Sequence, residues 1–202
     1  MNNIILTSSG FSNPAIMNRV EEFFGGDLSG KKVAIITTAS EDKEKNEFAV
    51  LAYSQLNRMG FGDVIFFDIE KQNPQELMAF DIIYVNGGNT YYLLYWTKKN
   101  GFDRVAKEFL RGGGLYIGVS AGSLIAGVSI EVLNYTKGDP NWIGLKDFSA
   151  MELTQRAIEP HYTQESEEAI LKYEKASGVE VVRLADGMAL VGEDGGEFHL
   201  MK

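Results

Sequence analysis

Ser120 stands in the string Gly118-Val119-Ser120-Ala121-Gly122, a G-x-S-x-G pattern that follows the apolar run Leu115 to Ile117 and leads into a segment of helical character. A serine on a sharp strand-to-helix bend is the nucleophile type of hydrolases that work by acyl transfer. The bend holds the serine in a strained backbone conformation, and Gly118 and Gly122 remove the Cβ atoms that would clash there. It also leaves the Ala121 amide at a helix start without an internal acceptor, so a developing oxyanion can receive it. The same string suits a plain turn whose serine caps the helix, or an anion-binding turn.

A second glycine turn, Asn86-Gly87-Gly88-Asn89-Thr90, follows the apolar run Asp81 to Val85. At the carboxyl end of a buried strand such a turn faces a ligand crevice, and an amide of Gly87 or Gly88 can complete an oxyanion hole with Ala121. Asn89 and Thr90 either cap the following helix or touch substrate, and the two roles are compatible. Tyr91, Tyr92 and Trp96 read as helix packing.

A serine hydroxyl needs a neighbouring base, and imidazole is suited to that near neutral pH. The chain has two histidines. His161 lies in a polar loop after Ile158-Glu159-Pro160, whereas His199 alternates with Phe198 and Leu200 in a terminal strand, so His161 is the expected base. The histidines share no ligand spacing and the chain has no cysteine, which excludes a thiol nucleophile, a disulfide and a zinc-thiolate site. Neither a metal nor another cofactor is expected.

What must position these groups is an α/β domain. The 202 residues are 45% apolar, enough for one full core, and a single domain over residues 1–202 is expected. A net charge of −9 with no basic cluster repels phosphate backbones and anionic lipid, so neither nucleic acid nor membrane is an expected partner. The start, Met1 to Ser8, lacks the pattern of a secretory signal, and no stretch approaches a membrane span; a soluble cytoplasmic protein is expected.

Short apolar runs at Asn3 to Thr7, Lys32 to Thr37, Asp63 to Phe67, Asp81 to Val85 and Leu115 to Val119 predict strands buried on both sides. Helices are predicted over Pro14 to Phe24, Lys43 to Met59, Pro74 to Met78, Thr90 to Lys99, Phe102 to Arg111 and Gln164 to Ser177. The second is expected to bury Phe48, Leu51, Ala52, Leu56 and Met59 on one face. Asn134 to Ser149 reads as a long polar loop, a candidate lid. Val179 to Leu184, Met188 to Val191 and Glu197 to Leu200 predict short strands joined by hairpin turns at Asp186-Gly187 and Asp194-Gly195-Gly196. The expected fold is a three-layer α/β/α domain with a mostly parallel sheet and a small antiparallel C-terminal addition.

Three strings, Tyr84-Val85-Asn86-Gly87-Gly88-Asn89-Thr90, Leu115 to Gly122 and Glu159-Pro160-His161-Tyr162-Thr163, resemble the signature segments of the peptidase E family of serine peptidases, peptidase family S51, aspartyl dipeptidases related to cyanophycinase. Their order and spacing match too. The resemblance implies a class I glutamine amidotransferase-like, flavodoxin-like fold in which Ser120 is the nucleophile, His161 the general base and then acid, and the Gly88 and Ala121 amides the oxyanion hole. It implies a short peptide as substrate and a monomer or homodimer.

Two positions depart from the family pattern. The triad carboxylate of the family aligns with Asn134 or Tyr135, neither of which is acidic. Asn134 is then the expected third member, with Glu131, Asp139 or a plain dyad as alternatives. The family arginine that pairs with a substrate aspartate aligns with Ser166, and no arginine is near it in sequence. The departures leave two other readings open, a catalytically silent binding module of the same fold and an esterase or amidase.

Overall fold

The computed structural model describes residues 3–136, 138–192 and 197–202. Its five predicted parallel strands form at or within a residue of their expected ends: β1 (Ile4–Thr7), β2 (Lys32–Ile36), β3 (Asp63–Phe67), β4 (Ile82–Val85) and β5 (Leu115–Val119). Two further strands extend the sheet beyond β1: β8 (Ala189–Gly192) pairs antiparallel with β1 and β9 (Phe198–Met201) antiparallel with β8, so the main sheet runs β3-β2-β4-β5-β1-β8-β9. Asp194-Gly195-Gly196, between β8 and β9, lies outside the described residues.

Alternation along each strand feeds two separate cores. Ile4, Leu6, Ala34, Ile36, Ile83 and Val85 pack on one face, while Ile5, Val33, Ile35, Ile82, Leu115 and Ile117 pack on the other. A sheet apolar on both faces must be covered on both, each fully buried aliphatic side chain contributing about 1.5–3 kcal/mol. The first face takes α3 (Thr90–Asn100) and α4 (Phe102–Arg111), which buries Phe102, Val105, Ala106, Phe109 and Leu110 at helical spacing. The second takes α1 (Pro14–Phe23) through Ile16 and Val20 and α2 (Glu47–Met59) through Ala52 and Leu56. The three-layer α/β/α architecture is therefore present.

Helix α2 differs from its expected orientation. Its buried stripe is Ala49, Ala52 and Leu56, while Phe48 and Leu51 are 61% and 50% exposed. Small alanines let the helix backbone sit close to the sheet, and that proximity, more than side-chain size, selects the face. The helix also starts later than expected, because Asn46 takes the cap position and accepts from the Phe48 and Ala49 amides. The preceding residues Lys43–Lys45 form a 3-10 turn, and so do Pro74–Ala79.

The C-terminal region departs furthest from the sequence reading. Residues Ala157–Pro160 form a strand, β6, and it pairs in parallel with β7 (Val181–Leu184) as a separate two-stranded sheet. Asp186-Gly187 is accordingly not a hairpin turn: it links β7 in the small sheet to β8 in the main one. The crossover between β6 and β7 is the 3-10 turn Gln164–Ser166 followed by α6 (Glu167–Ser177). A parallel pair requires such a crossover, which is why the polar helix at 167–177 lies between two strands. Among the described residues no helix is long and apolar enough to cross a membrane.

Candidate active site

Strands β1, β4, β5, β6 and β7 all deliver their carboxyl ends to one crevice, the position where parallel sheets hold ligands. At the end of β5, Ser120 has φ 48° and ψ −109°, and α5 (Ala121–Leu124) starts immediately after it. Such a backbone costs on the order of 1–3 kcal/mol and persists where the surroundings leave no alternative. Here the surroundings are close backbone contacts. A Cβ at Gly118 would lie 2.6 Å from the Gly122 carbonyl oxygen, and one at Gly122 would lie 2.3 Å from that of Val85. The bend can therefore form only with glycine on both sides, as the string suggested.

The imidazole of His161 meets this serine. Nε2 is 3.1 Å from Ser120 Oγ, and Nδ1 is 2.8 Å from Oδ1 of Asp186. His161 follows β6 directly, with φ 55°, and the carboxylate comes from just beyond β7. The register pairs Pro160 with Leu184, so parallel pairing sets residue 161 beside residues 185 and 186. Ser8, just past β1, ties the two together: it accepts the His161 backbone N–H at 2.8 Å and donates to Asp186 Oδ1 at 2.6 Å. The Ser8 hydroxyl, and after it the imidazole, hold the Asp186 carboxyl below the usual carboxylate range despite partial burial. With Asp186 ionised and accepting only, the proton lies on Nδ1, and Nε2 is left to accept from the Ser120 hydroxyl.

Asn134, the expected third member, is not beside the imidazole. It ends a 3-10 turn (Glu131–Asn134) and its Oδ1 accepts from the Tyr91 hydroxyl at 3.3 Å. Glu131 is exposed in the same turn, and Asp139 is committed elsewhere: its Oδ2 accepts from both the amide and the hydroxyl of Thr90, each at 2.8 Å. Neither Asp186 nor Ser8 was among the sequence candidates. The only signal for Asp186 was an acid following a terminal apolar run, and Ser8 carried none.

Asn89 and Thr90 are occupied within the protein. The Asn89 side chain caps α3 through the Tyr92 amide and donates to the Pro140 carbonyl, and Thr90, though it borders the crevice, gives both its donors to Asp139. These bonds tie Asp139 and Pro140 of the candidate lid to the start of α3, and Lys98 fastens the far end of the stretch through Asp147 and Ser149. Gly88, at φ 140°, packs its backbone against the Ala39 carbonyl, leaving no room for a Cβ. Its neighbour Gly87 lies against Ser120, whose Cβ would be 3.2 Å from a Cβ added there. Both expected oxyanion donors, Gly88 and Ala121, thus belong to segments that border the serine. His199 lies in β9, in register with Val191.

The crevice has a volume of about 580 Å³ and is bordered by Ser120 and His161. Among the described residues no group of His, Asp and Glu is arranged to hold a metal ion. Residues 4–200 match the model of peptidase family S51. The chain belongs to peptidase family S51. As a member it is a peptidase hydrolase. It is 32% identical over 166 residues to an uncharacterized peptidase of Listeria monocytogenes, covering 80% of this chain and 78% of the relative. It is 26% identical over 164 residues to peptidase E of Haemophilus influenzae, covering 80% and 73%. A crystal structure from Listeria monocytogenes, provisionally described as a peptidase E protein, superposes with a TM-score of 0.80 at 28% identity, over 100% of this S51 chain and 98% of the other. A peptidase from an acI-B1 actinobacterium shares the fold, with a TM-score of 0.67 at 18% identity over 98% and 86% of the two chains.

Proposed function

We propose that this S51 member is a serine peptidase that cleaves short peptides through an acyl-enzyme on Ser120. The observation that carries the reading is the continuous line Ser120 Oγ, His161 Nε2, His161 Nδ1, Asp186 Oδ1, with contacts of 3.1 and 2.8 Å. Nucleophile, base and orienting carboxylate are in the order that acyl transfer requires.

In the first step Oγ attacks the peptide carbonyl carbon while Nε2 takes the hydroxyl proton. The oxygen becomes an oxyanion held by the Gly88 and Ala121 amides, the second of which also lies at a helix start. The imidazolium then gives its proton to the leaving nitrogen, the C–N bond breaks, and an ester to Ser120 remains. Water, deprotonated by Nε2, releases the acid and restores the serine. Asp186 stays ionised throughout and stabilises the imidazolium, with Ser8 as a positioning residue. A cavity of about 580 Å³ suits a ligand of dipeptide size.

A fluorophosphonate probe tests the reading directly. It is expected to label the wild-type protein and to leave Ser120→Ala unlabelled. Equal labelling of that variant ends the assignment of Ser120 as nucleophile.

A further inference from the structure

Glu159 is 7% exposed, lies on β6 two residues before His161, and borders the same cavity as Ser120. Two residues of strand span about 7 Å, so Glu159 stands about two residues of an extended peptide away from His161 along the cavity wall. Its Oε2 is fully buried and has no hydrogen-bond partner among the described residues. Burial pushes this carboxyl up to about 7, with the Thr136 hydroxyl opposing. A buried acceptor left open is costly, on the order of 1–3 kcal/mol, and calls for a partner that is present only part of the time.

The nearest cation in the sheet register cannot be that partner. Arg183 pairs with Glu159 along β6 and β7, but its guanidinium is bonded to both Glu167, at 2.9 Å, and Glu174, at 2.6 Å. The described residues bordering the cavity include Asp139, Glu159 and Glu165 and no Lys or Arg. Ser166, which borders it too, donates its hydroxyl to the Thr163 carbonyl. Among the described residues bordering the cavity, a substrate carboxylate meets only like charge, and a substrate cation meets an unpaired buried acceptor.

We propose that Glu159 is a specificity-determining residue whose carboxylate receives a cationic nitrogen, ammonium or guanidinium, on the acyl side of the bound peptide. The inference rests on Ser120 being the site of acyl transfer. In a dipeptide the leaving residue bears the terminal carboxylate, which Glu159 repels, so the amine-bearing residue is the one drawn to it. The α-ammonium and a basic side chain share this chemistry.

Binding to the Ser120→Ala protein separates the two sources and does not depend on turnover. Four peptides form the set: Lys-Ala with both cations, Nα-acetyl-Lys-Ala with the side chain only, Ala-Ala with the α-ammonium only, and Nα-acetyl-Ala-Ala with neither. At least one cationic group is expected to tighten Kd by about tenfold over the neutral peptide, and Glu159→Gln in the same background is expected to abolish that difference. The member of the set that loses affinity identifies the source. Equal Kd values across the set, or a preference that survives Glu159→Gln, overturn the proposal. Failure of the acyl-enzyme reading shows separately, as fluorophosphonate labelling that does not require Ser120.

Discussion

Oδ1 of Asp186 lies 2.8 Å from Nδ1 of His161, although the two residues are 25 positions apart and follow different strands. The contact exists because β6 and β7 run parallel and end together. It supplies the carboxylate that the family alignment puts at Asn134, and it makes Asp186 and Asn134 a discriminating pair of substitutions.

Asp186→Asn is expected to lower kcat by about 10²–10⁴-fold, because an amide facing Nδ1 does not fix the tautomer that leaves Nε2 open. Asn134→Ala removes only the acceptor of the Tyr91 hydroxyl and is expected to leave kcat within about twofold, with a stability loss of about 1 kcal/mol. Steady-state kinetics on one neutral dipeptide compares them. A wild-type rate in Asp186→Asn contradicts the triad. The Asp186 carboxyl is lowered on folding, so its stabilising contribution is present above its unfolded value and is lost as pH falls through the lowered one.

Ser8→Ala removes the hydroxyl that accepts from the His161 backbone and donates to Asp186. The expected result is a kcat about tenfold lower with KM little changed, since Ser8 positions the base without meeting substrate. The Asp186 carboxyl should also titrate at a higher pH in this variant, because it loses the donor that contributes most to lowering it, and a carboxyl-observed NMR titration reads that change. An unmoved Asp186 titration leaves Ser8 with a purely structural role.

Gly122→Ala places a Cβ 2.3 Å from the Val85 carbonyl oxygen. Backbone has little freedom to yield, so a loss of about 3 kcal/mol or more, or failure to accumulate as soluble protein, is expected. Thermal melting of the purified variant measures it. An unchanged Tm shows that the bend tolerates a side chain and that the glycine is not what shapes it.

Glu159→Gln is expected to raise stability in a pH-dependent way. The folded-state value of about 7 lies above the ordinary 4.5. The native protein therefore holds the extra proton between these values, and wild-type stability falls as pH rises through that window. Removing the carboxyl relieves up to about 3 kcal/mol above pH 7 and nothing well below the ordinary value. Denaturant melts at the two extremes test the sign. A gain that is the same at both places Glu159 in a solvated setting.

Much of the architecture could be read locally. The five parallel strands and α4 follow from apolar runs and from the 3.6-residue period, and the core they build is where those patterns say. Phe48 and Leu51 show the limit: both fit the expected stripe of α2, yet the helix turns its alanines inward, a choice made by distance to the sheet. β6 was hidden for a related reason, since Glu159 and Pro160 are poor strand formers in isolation and are held there by pairing with β7.

Ser120, by itself, was determined by sequence, because the constraint on that bend acts between neighbours: two glycines flank the residue and their missing Cβ atoms are what allow the turn. His161 was nearly so, by the scarcity of histidine. The tertiary structure alone decided that Asp186 and Ser8 reach it, that Asn134 does not, and that Glu159 opens onto the cavity. Those outcomes depend on strand register and on hydrogen bonds spanning as many as 178 positions. Such contacts arise only when the strand ends converge, and no local run of residue types encodes which ends will meet.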